Sequence, residues 1–446
     1  MFNGRRKTDM SSTIINDDLI ANAIRQSIIT FLDQSVTIEA RYLPMSRWTT
    51  GENGRICNVY PEASIDHMFA DLHFDAAVDI LHDVMMAHFA QFLGLVGCRS
   101  FLMRHDARVW LQTLICEYWR RHHSLEIRDQ EIIDLVSDFA MVLRSRTVRR
   151  YFAVPVINFH ADPGTVVVVG KYCLRHLSDE EFNDLYSGPA FSSIPPHYLS
   201  PPDFALFGEI DEPIQFGNIS PEASNIWKTV RDELDKVVVA LRTFKPQPVG
   251  LGAVHVLRKG LPVLYSVELE YDQVPSGIYK INADEVQELQ IHALRMNGRL
   301  HPSLDVASSR LSDAVARGKS RDRLIDAVIG LEAILLNGSS KAEYRGELRY
   351  RLSMNYAFLF TSAEERRKAF QIAKLFYDIR SSIAHGGTAN EGIVTINRKK
   401  YVLADEADRA CSCLREVIMR FIDAPEKPAY TEDNYWENQY FGVTYH

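Results

Sequence analysis

The chain has 446 residues, 46% of them hydrophobic, and carries a formal net charge of −8. That size permits a large buried core and two or three domains. Its six cysteines (Cys57, Cys98, Cys116, Cys173, Cys411 and Cys413) form no C-x2-C pair, which argues against a zinc ribbon or a disulfide framework and suits reduced thiols in a cytoplasmic protein.

Residues 1–16 read as a flexible leader. The basic stretch Gly4 to Asp9 is not followed by a long apolar run, so no signal peptide is expected. No uncharged apolar run approaches the ~20 residues a membrane helix needs, and Met85 to Cys98 reads as a buried helix. Residues 17–148 form a mainly helical region. Ile20, Ile24, Ile28, Phe31 and Leu32 mark one apolar stripe, and Ala76 to Phe92, Ala107 to Trp119 and Glu131 to Leu143 suggest three further helices.

From about residue 149 to 300 the texture is mixed. Tyr151 to Phe159 and Thr165 to Val169 are rich in β-branched and aromatic residues and read as strands, with Asp162-Pro163-Gly164 as the turn. Asp203 to Phe216 is another strand. Ser220 to Leu241 reads as a helix with Ser220 as N-cap and Pro221 at the first position. Ala253 to Leu257 and Val263 to Glu270 suggest a β-pair turning at Lys259-Gly260, and Asn297-Gly298 marks a further turn. The last stretch, 424–446, is polar and aromatic and reads as a tail that packs on the body or on a partner.

Several polar constellations carry little chemistry. His67, His73, Asp79 and His82-Asp83 invite comparison with metal-dependent phosphohydrolases, but their spacing matches no ligand set; they are expected to be solvated or hydrogen-bonded, and no metal or cofactor is expected. His122-His123 follows Arg120-Arg121 at an expected helix end, where cations suit the helix dipole. Gly250-Leu251-Gly252 is too short for a phosphate loop, and no Walker, nucleophile-elbow or kinase signature is present.

The stretch Phe376-Tyr377-Asp378-Ile379-Arg380-Ser381-Ser382-Ile383-Ala384-His385-Gly386-Gly387 is more informative. Ile372, Phe376, Ile379 and Ile383 recur at three- and four-residue steps and predict a helix with a buried stripe. Arginine offers a permanent cation with a planar donor fork, and histidine moves protons near neutral pH, so the pair can break an RNA phosphodiester without a metal. On an uninterrupted helix, five positions span roughly 500° and leave Arg380 and His385 on different faces. Gly386-Gly387 permits the last turn to unwind and bring them together. The structural alternative is a histidine capping loose carbonyls beside a surface arginine.

Three blocks in order extend the argument: Arg323 to Leu336, Glu347 to Leu352, and Leu375 to Gly387. With them, Leu304 to Asp423 resembles an HEPN domain of the Apea-like group, and Gly164 to Asp184 is weakly similar to the region that precedes it. With the helices and strands read above, the chain is expected to be α+β overall, and the resemblance implies a C-terminal all-α HEPN helical bundle at residues 301–423 behind the mixed, mainly helical N-terminal region. It implies a metal-independent endoribonuclease in which His385 is general acid or base, Arg380 stabilises the phosphate and Ser381 adds a hydrogen bond. Many catalytic members carry Asn, Asp or His where this chain has Ser381. It further implies an RNA substrate, a homodimer that pairs two motifs, and a role in antiviral defence against phage or as a toxin. A phage-derived trigger or regulatory partner would then act on the N-terminal region. The competing expectation is a non-catalytic HEPN module that binds RNA, nucleotide or a protein partner.

Glu332 lies at helical spacing with Ile325, Ile329 and Leu336, where a carboxylate is costly unless paired, and Arg380 or Arg351 would be its partner. It either orients Arg380 for chemistry or holds two helices together. Glu347 and Arg351, four apart, suit a surface or structural pair. Charge is uneven: Leu304 to Asp423 holds 20 Lys+Arg against 16 Asp+Glu, and the remainder holds 30 against 42. A mildly basic segment on an acidic body suits a module that touches nucleic acid.

Overall fold

The computed structural model describes residues 17–35, 47–50, 56–59, 75–87, 104–122, 126–145, 147–186, 202–213, 221–257, 275–337, 348–385, 392–432 and 434–441. Among them the chain mixes helices with a small sheet, an α+β arrangement.

The first helices follow the apolar periodicity. Helix α1 (Asp17–Ser35) buries Ile24, Ile28, Phe31 and Leu32. It packs on α2 (Asp75–Ala87), α3 (Arg104–His122) and α4 (Asp129–Ser145). Between α1 and α2 lies a short antiparallel pair, β1 (Arg47–Thr50) and β2 (Ile56–Val59). Arg121 pairs with Glu117 and Asp138, each at 2.8 Å, and so joins α3 to α4.

The central strand is β3 (Thr147–Ile157), which alternates its faces as a pleated strand must. Phe152, Val154 and Val156 point into the main core, while Ala153 meets Phe182 and Leu185 of α5 (Asp179–Tyr186) on the other side. β4 (Phe159–His160) follows directly. β5 (Val166–Val169) and β6 (Tyr172–His176) form a hairpin, and β7 (Phe204–Pro213) lies between β6 and β3. The expected turn before β5 is present: the Thr165 N–H donates to the Asp162 carbonyl at 2.8 Å. A Cβ on Gly208 would stand 2.5 Å from the Phe152 ring, so glycine there lets that ring lie across β7.

Helix α6 (Pro221–Phe244) begins at the expected proline and lays Trp227, Val230, Leu234, Val237 and Leu241 in the same core as β3. β8 (Gly250–Leu251) and β9 (His255–Leu257) both pair antiparallel with β3, and β10 (Tyr279–Lys280) pairs parallel with β4. The expected strand Val263 to Glu270 and the N-cap Ser220 lie outside the described residues.

The C-terminal elements are α7 (Val286–Met296), α8 (Pro302–Ala316), α9 (Ser320–Leu335), α10 (Leu348–Ala357) and α11 (Ala363–Ala384), then β11 (Ile393–Ile396), β12 (Lys399–Val402), α12 (Leu403–Phe421) and α13 (Tyr435–Phe441). This part departs from the all-α expectation, because an antiparallel hairpin separates α11 from α12. Ile393-Val394-Thr395-Ile396 is β-branched throughout, and Asn397 and Arg398 adopt φ of 50° and 64°, the left-handed pair of a tight hairpin turn.

One continuous core runs from Phe152 on β3 to Trp436 on α13. The tail packs as expected: Tyr430 is buried edge-on to Phe421 at 4.7 Å, and the Tyr440 hydroxyl donates to Asn355 Oδ1.

Candidate functional site

Helix α11 carries the arginine and the histidine, and its ends are well specified. Ser362 caps the N-terminus: its hydroxyl accepts from the Glu365 N–H at 3.1 Å, and the Glu365 carboxylate accepts from the Ser362 N–H. Ala369, Ala373, Phe376, Ile379 and Ile383 form the buried stripe that docks the helix. The helix stays regular to its end, since the His385 N–H donates to the Ser381 carbonyl at 3.1 Å in the ordinary i to i−4 pattern. The last turn therefore does not unwind through residue 385; Gly386 and Gly387 lie outside the described residues.

Regular geometry separates the two candidate catalytic groups. Arg380 and His385 project roughly 140° apart around the axis. His385 is exposed at the C-cap, whereas Arg380 is half-buried on the side facing α9. Ser381 is half-buried beside them, and its carbonyl receives the His385 N–H.

Of the two arginines expected opposite Glu332, Arg380 is the one found there, with Nη2 at 3.7 Å from Glu332 Oε2. At that separation the pair is an ion contact without a close hydrogen bond, and among the described residues the other guanidinium donors meet no hydrogen-bond acceptor. Burial pushes the Glu332 carboxyl above the ordinary glutamate range, and Arg380 pulls it part of the way back. Glu332 sits on α9 two residues after Gly330. A Cβ on Gly330 would lie 2.5 Å from Leu414 of α12 and 3.3 Å from the Ala307 carbonyl of α8, so glycine sets how closely α9 can lie against both helices.

Two further cations surround α11 that the Arg380–His385 spacing does not reveal. Arg321 Nη2 donates to the Ile383 carbonyl at 3.4 Å and so tends the C-terminal end of the helix. Arg349 of α10 pairs with Asp378 at 2.7 Å, two residues before Arg380. Both come from other helices, and only the periodicity of α11 itself could have pointed to the face they meet.

The remaining sequence candidates fall elsewhere. His82 contacts Asp83 at 3.4 Å on α2, and His122 lies 3.4 Å from Glu131. Glu347, His67, His73 and His123 lie outside the described residues. Among the described residues, no group of three or more His, Cys, Asp or Glu side chains is arranged to hold a metal ion. No described helix is long and apolar enough to cross a membrane. Set against protein-family models, curated proteins and solved structures, the chain matches none of them.

Proposed function

We propose that this protein is a metal-independent endoribonuclease of the HEPN type, acting through Arg380 and His385. The observation that carries the reading is the state of Arg380. Among the described residues it is held near the end of α11 by one loose contact to an under-compensated carboxylate, which orients its donor fork and leaves donors there to take phosphate oxygens. His385, exposed one turn later, removes the proton from a ribose 2′-hydroxyl. The 2′-oxygen then attacks the adjacent phosphorus, the bond to the 5′-oxygen breaks, and the products are a 2′,3′-cyclic phosphate and a 5′-hydroxyl. Arg380 stabilises the charge that builds on the phosphate, and Ser381 contributes a hydrogen bond.

The angular separation of Arg380 and His385 gives the assembly its logic. One phosphate is served more easily by the arginine of one chain and the histidine of a second than by both from one regular helix. A homodimer that brings two copies of residues 380–385 face to face supplies both a base for the 2′-hydroxyl and an acid for the leaving oxygen.

The decisive experiment incubates the purified chain with mixed RNA, with and without EDTA, alongside His385→Ala. The expected result is cleavage unaffected by chelation, fragments with 5′-hydroxyl ends, and no cleavage by His385→Ala. Cleavage by that variant at the wild-type rate, or loss of wild-type activity in EDTA, overturns the mechanism. An intact RNA pool with wild-type protein favours the second reading, a non-catalytic module that binds RNA, nucleotide or protein, to which the modest positive balance of residues 304–423 also lends itself.

A further inference from the structure

Helices α10 and α11 enclose a cleft of about 340 Å³ lined by Arg349, Tyr350, Ser353, Phe370 and Lys374. Its chemistry is mixed in a particular way. Tyr350 is 52% exposed and meets the Phe370 ring edge-on at 5.8 Å, so an aromatic face is held in place with one side open to solvent. Lys374 is exposed and makes no ion pair among the described residues. Arg349 spends one nitrogen on Asp378, while its Nε is buried without a hydrogen-bond partner. The Ser353 hydroxyl donates to the Arg349 carbonyl at 2.7 Å and keeps its lone pairs.

The cleft is aligned with His385 and Ser381 of the proposed site, while Arg380 projects to the α9 side of the helix. Phe370, Lys374, Asp378, Ser381 and His385 recur at three- and four-residue steps and fall within a stripe of roughly 80° on α11. Lys374 precedes His385 by about 16 Å along the axis. A strand lying along this stripe would pass the aromatic shelf, then the cations, then the histidine.

We propose that the α10–α11 cleft is a subsite for single-stranded RNA. One base stacks on Tyr350, the adjoining phosphate lies between Arg349 and Lys374, and the strand continues along α11 to His385. A stacking shelf flanked by cations is how single strands are held without dependence on sequence, whereas a duplex keeps its bases stacked inside and cannot offer one. This assignment rests on the endoribonuclease reading for the direction of the strand, and its test does not depend on cleavage.

The test measures binding of a fluorescently labelled, mixed-sequence single-stranded RNA oligonucleotide by anisotropy, with the full chain carrying His385→Ala throughout. Adding Tyr350→Ala is expected to weaken binding on the order of 10-fold, as loss of one stacked base does, and Tyr350→Phe to preserve it. Lys374→Ala should lower the slope of log affinity against log salt by ~0.7, one phosphate contact on a single strand. The same sequence as a duplex should bind more weakly. Tyr350→Ala or Lys374→Ala binding as the His385→Ala parent does, or a duplex binding as tightly as the single strand, overturns the subsite. The two proposals fail separately: cleavage by wild type with no effect of the cleft variants removes the subsite alone, and binding lost in the cleft variants without any wild-type cleavage removes the nuclease alone.

Discussion

Two carboxylates on helix α9 differ in how they are compensated. Asp326 is 5% exposed, with Arg310 Nη1 at 3.0 Å and Arg317 Nε at 3.1 Å, two close charge-assisted hydrogen bonds from α8 and the turn after it. Glu332, further along the same helix, faces only Arg380 among the described residues, at 3.7 Å, and has its carboxyl raised by burial. The first pattern is that of a buried charge held for architecture, in which each carboxylate oxygen accepts a close bond from an arginine. The second leaves both partners short of full pairing among the described residues, an arrangement that costs stability. On the proposed reading the first is a structural ion pair and the second orients Arg380.

The largest expected effect tests the Asp326 side. Replacing both Arg310 and Arg317 with alanine strands a buried carboxylate, and breaking such a group typically costs about 3–5 kcal/mol. Chemical denaturation should register that loss, while any RNA cleavage by the folded fraction stays close to normal. A loss under about 1 kcal/mol would mean that Asp326 reaches water on its own and that the contrast between the two ends of α9 is empty.

The next effect concerns Arg380 itself. Arg380→Lys keeps the charge and loses the planar fork, so single-turnover cleavage at saturating protein should fall by ~10²-fold, the scale of losing one stabilising donor. Rates near normal would show that the arginine only attracts RNA.

Glu332→Gln sharpens the comparison further, because its two readouts are expected to part. Removing an under-compensated charge should leave the denaturation midpoint at pH 7 unchanged or slightly higher, within ~1 kcal/mol, while cleavage falls as Arg380 loses its orientation. A clear loss of stability with normal cleavage would make Glu332 another Asp326.

The smallest effect is a pH dependence. A carboxyl whose folded pKa is raised binds its proton more tightly in the native state. Its contribution to stability is therefore fully present below the ordinary glutamate pKa of ~4.3 and is lost as pH rises through the folded value. The stability difference between wild type and Glu332→Gln should accordingly move in favour of the glutamine variant as pH is raised from 4 to 7. A difference that stays constant over that range would place Glu332 in contact with water.

Much of this architecture is legible in local sequence. The stripe Ile24, Ile28, Phe31 and Leu32 defines α1, Pro221 opens α6, and Asp162-Pro163-Gly164 turns the chain ahead of β5, because periodicity, a fixed φ and turn chemistry act within a few residues. The β11–β12 hairpin was equally local, with Asn397-Arg398 directly after the β-branched run Ile393 to Ile396, yet it sits inside a segment whose resemblance implied helices throughout. The unwinding of α11 that Gly386-Gly387 permits is not seen through His385, since the i to i−4 bond to Ser381 satisfies the backbone as it stands.

By itself, then, the sequence determined that Arg380, Ser381 and His385 share one helix end, and that Phe370, Lys374, Asp378 and His385 share one of its faces, since both follow from the 3.6-residue repeat. It could not choose between Arg351 and Arg380 as the partner of Glu332, and it gave no sign that Arg321 reaches the Ile383 carbonyl or that Tyr350 and Arg349 face Lys374 across a cleft. Those relations join residues on separate helices. Tertiary packing decided them, through contacts such as the close approach of α9 to α8 and α12 at Gly330, because helical spacing says where a side chain points on its own helix and nothing about which neighbour will stand opposite.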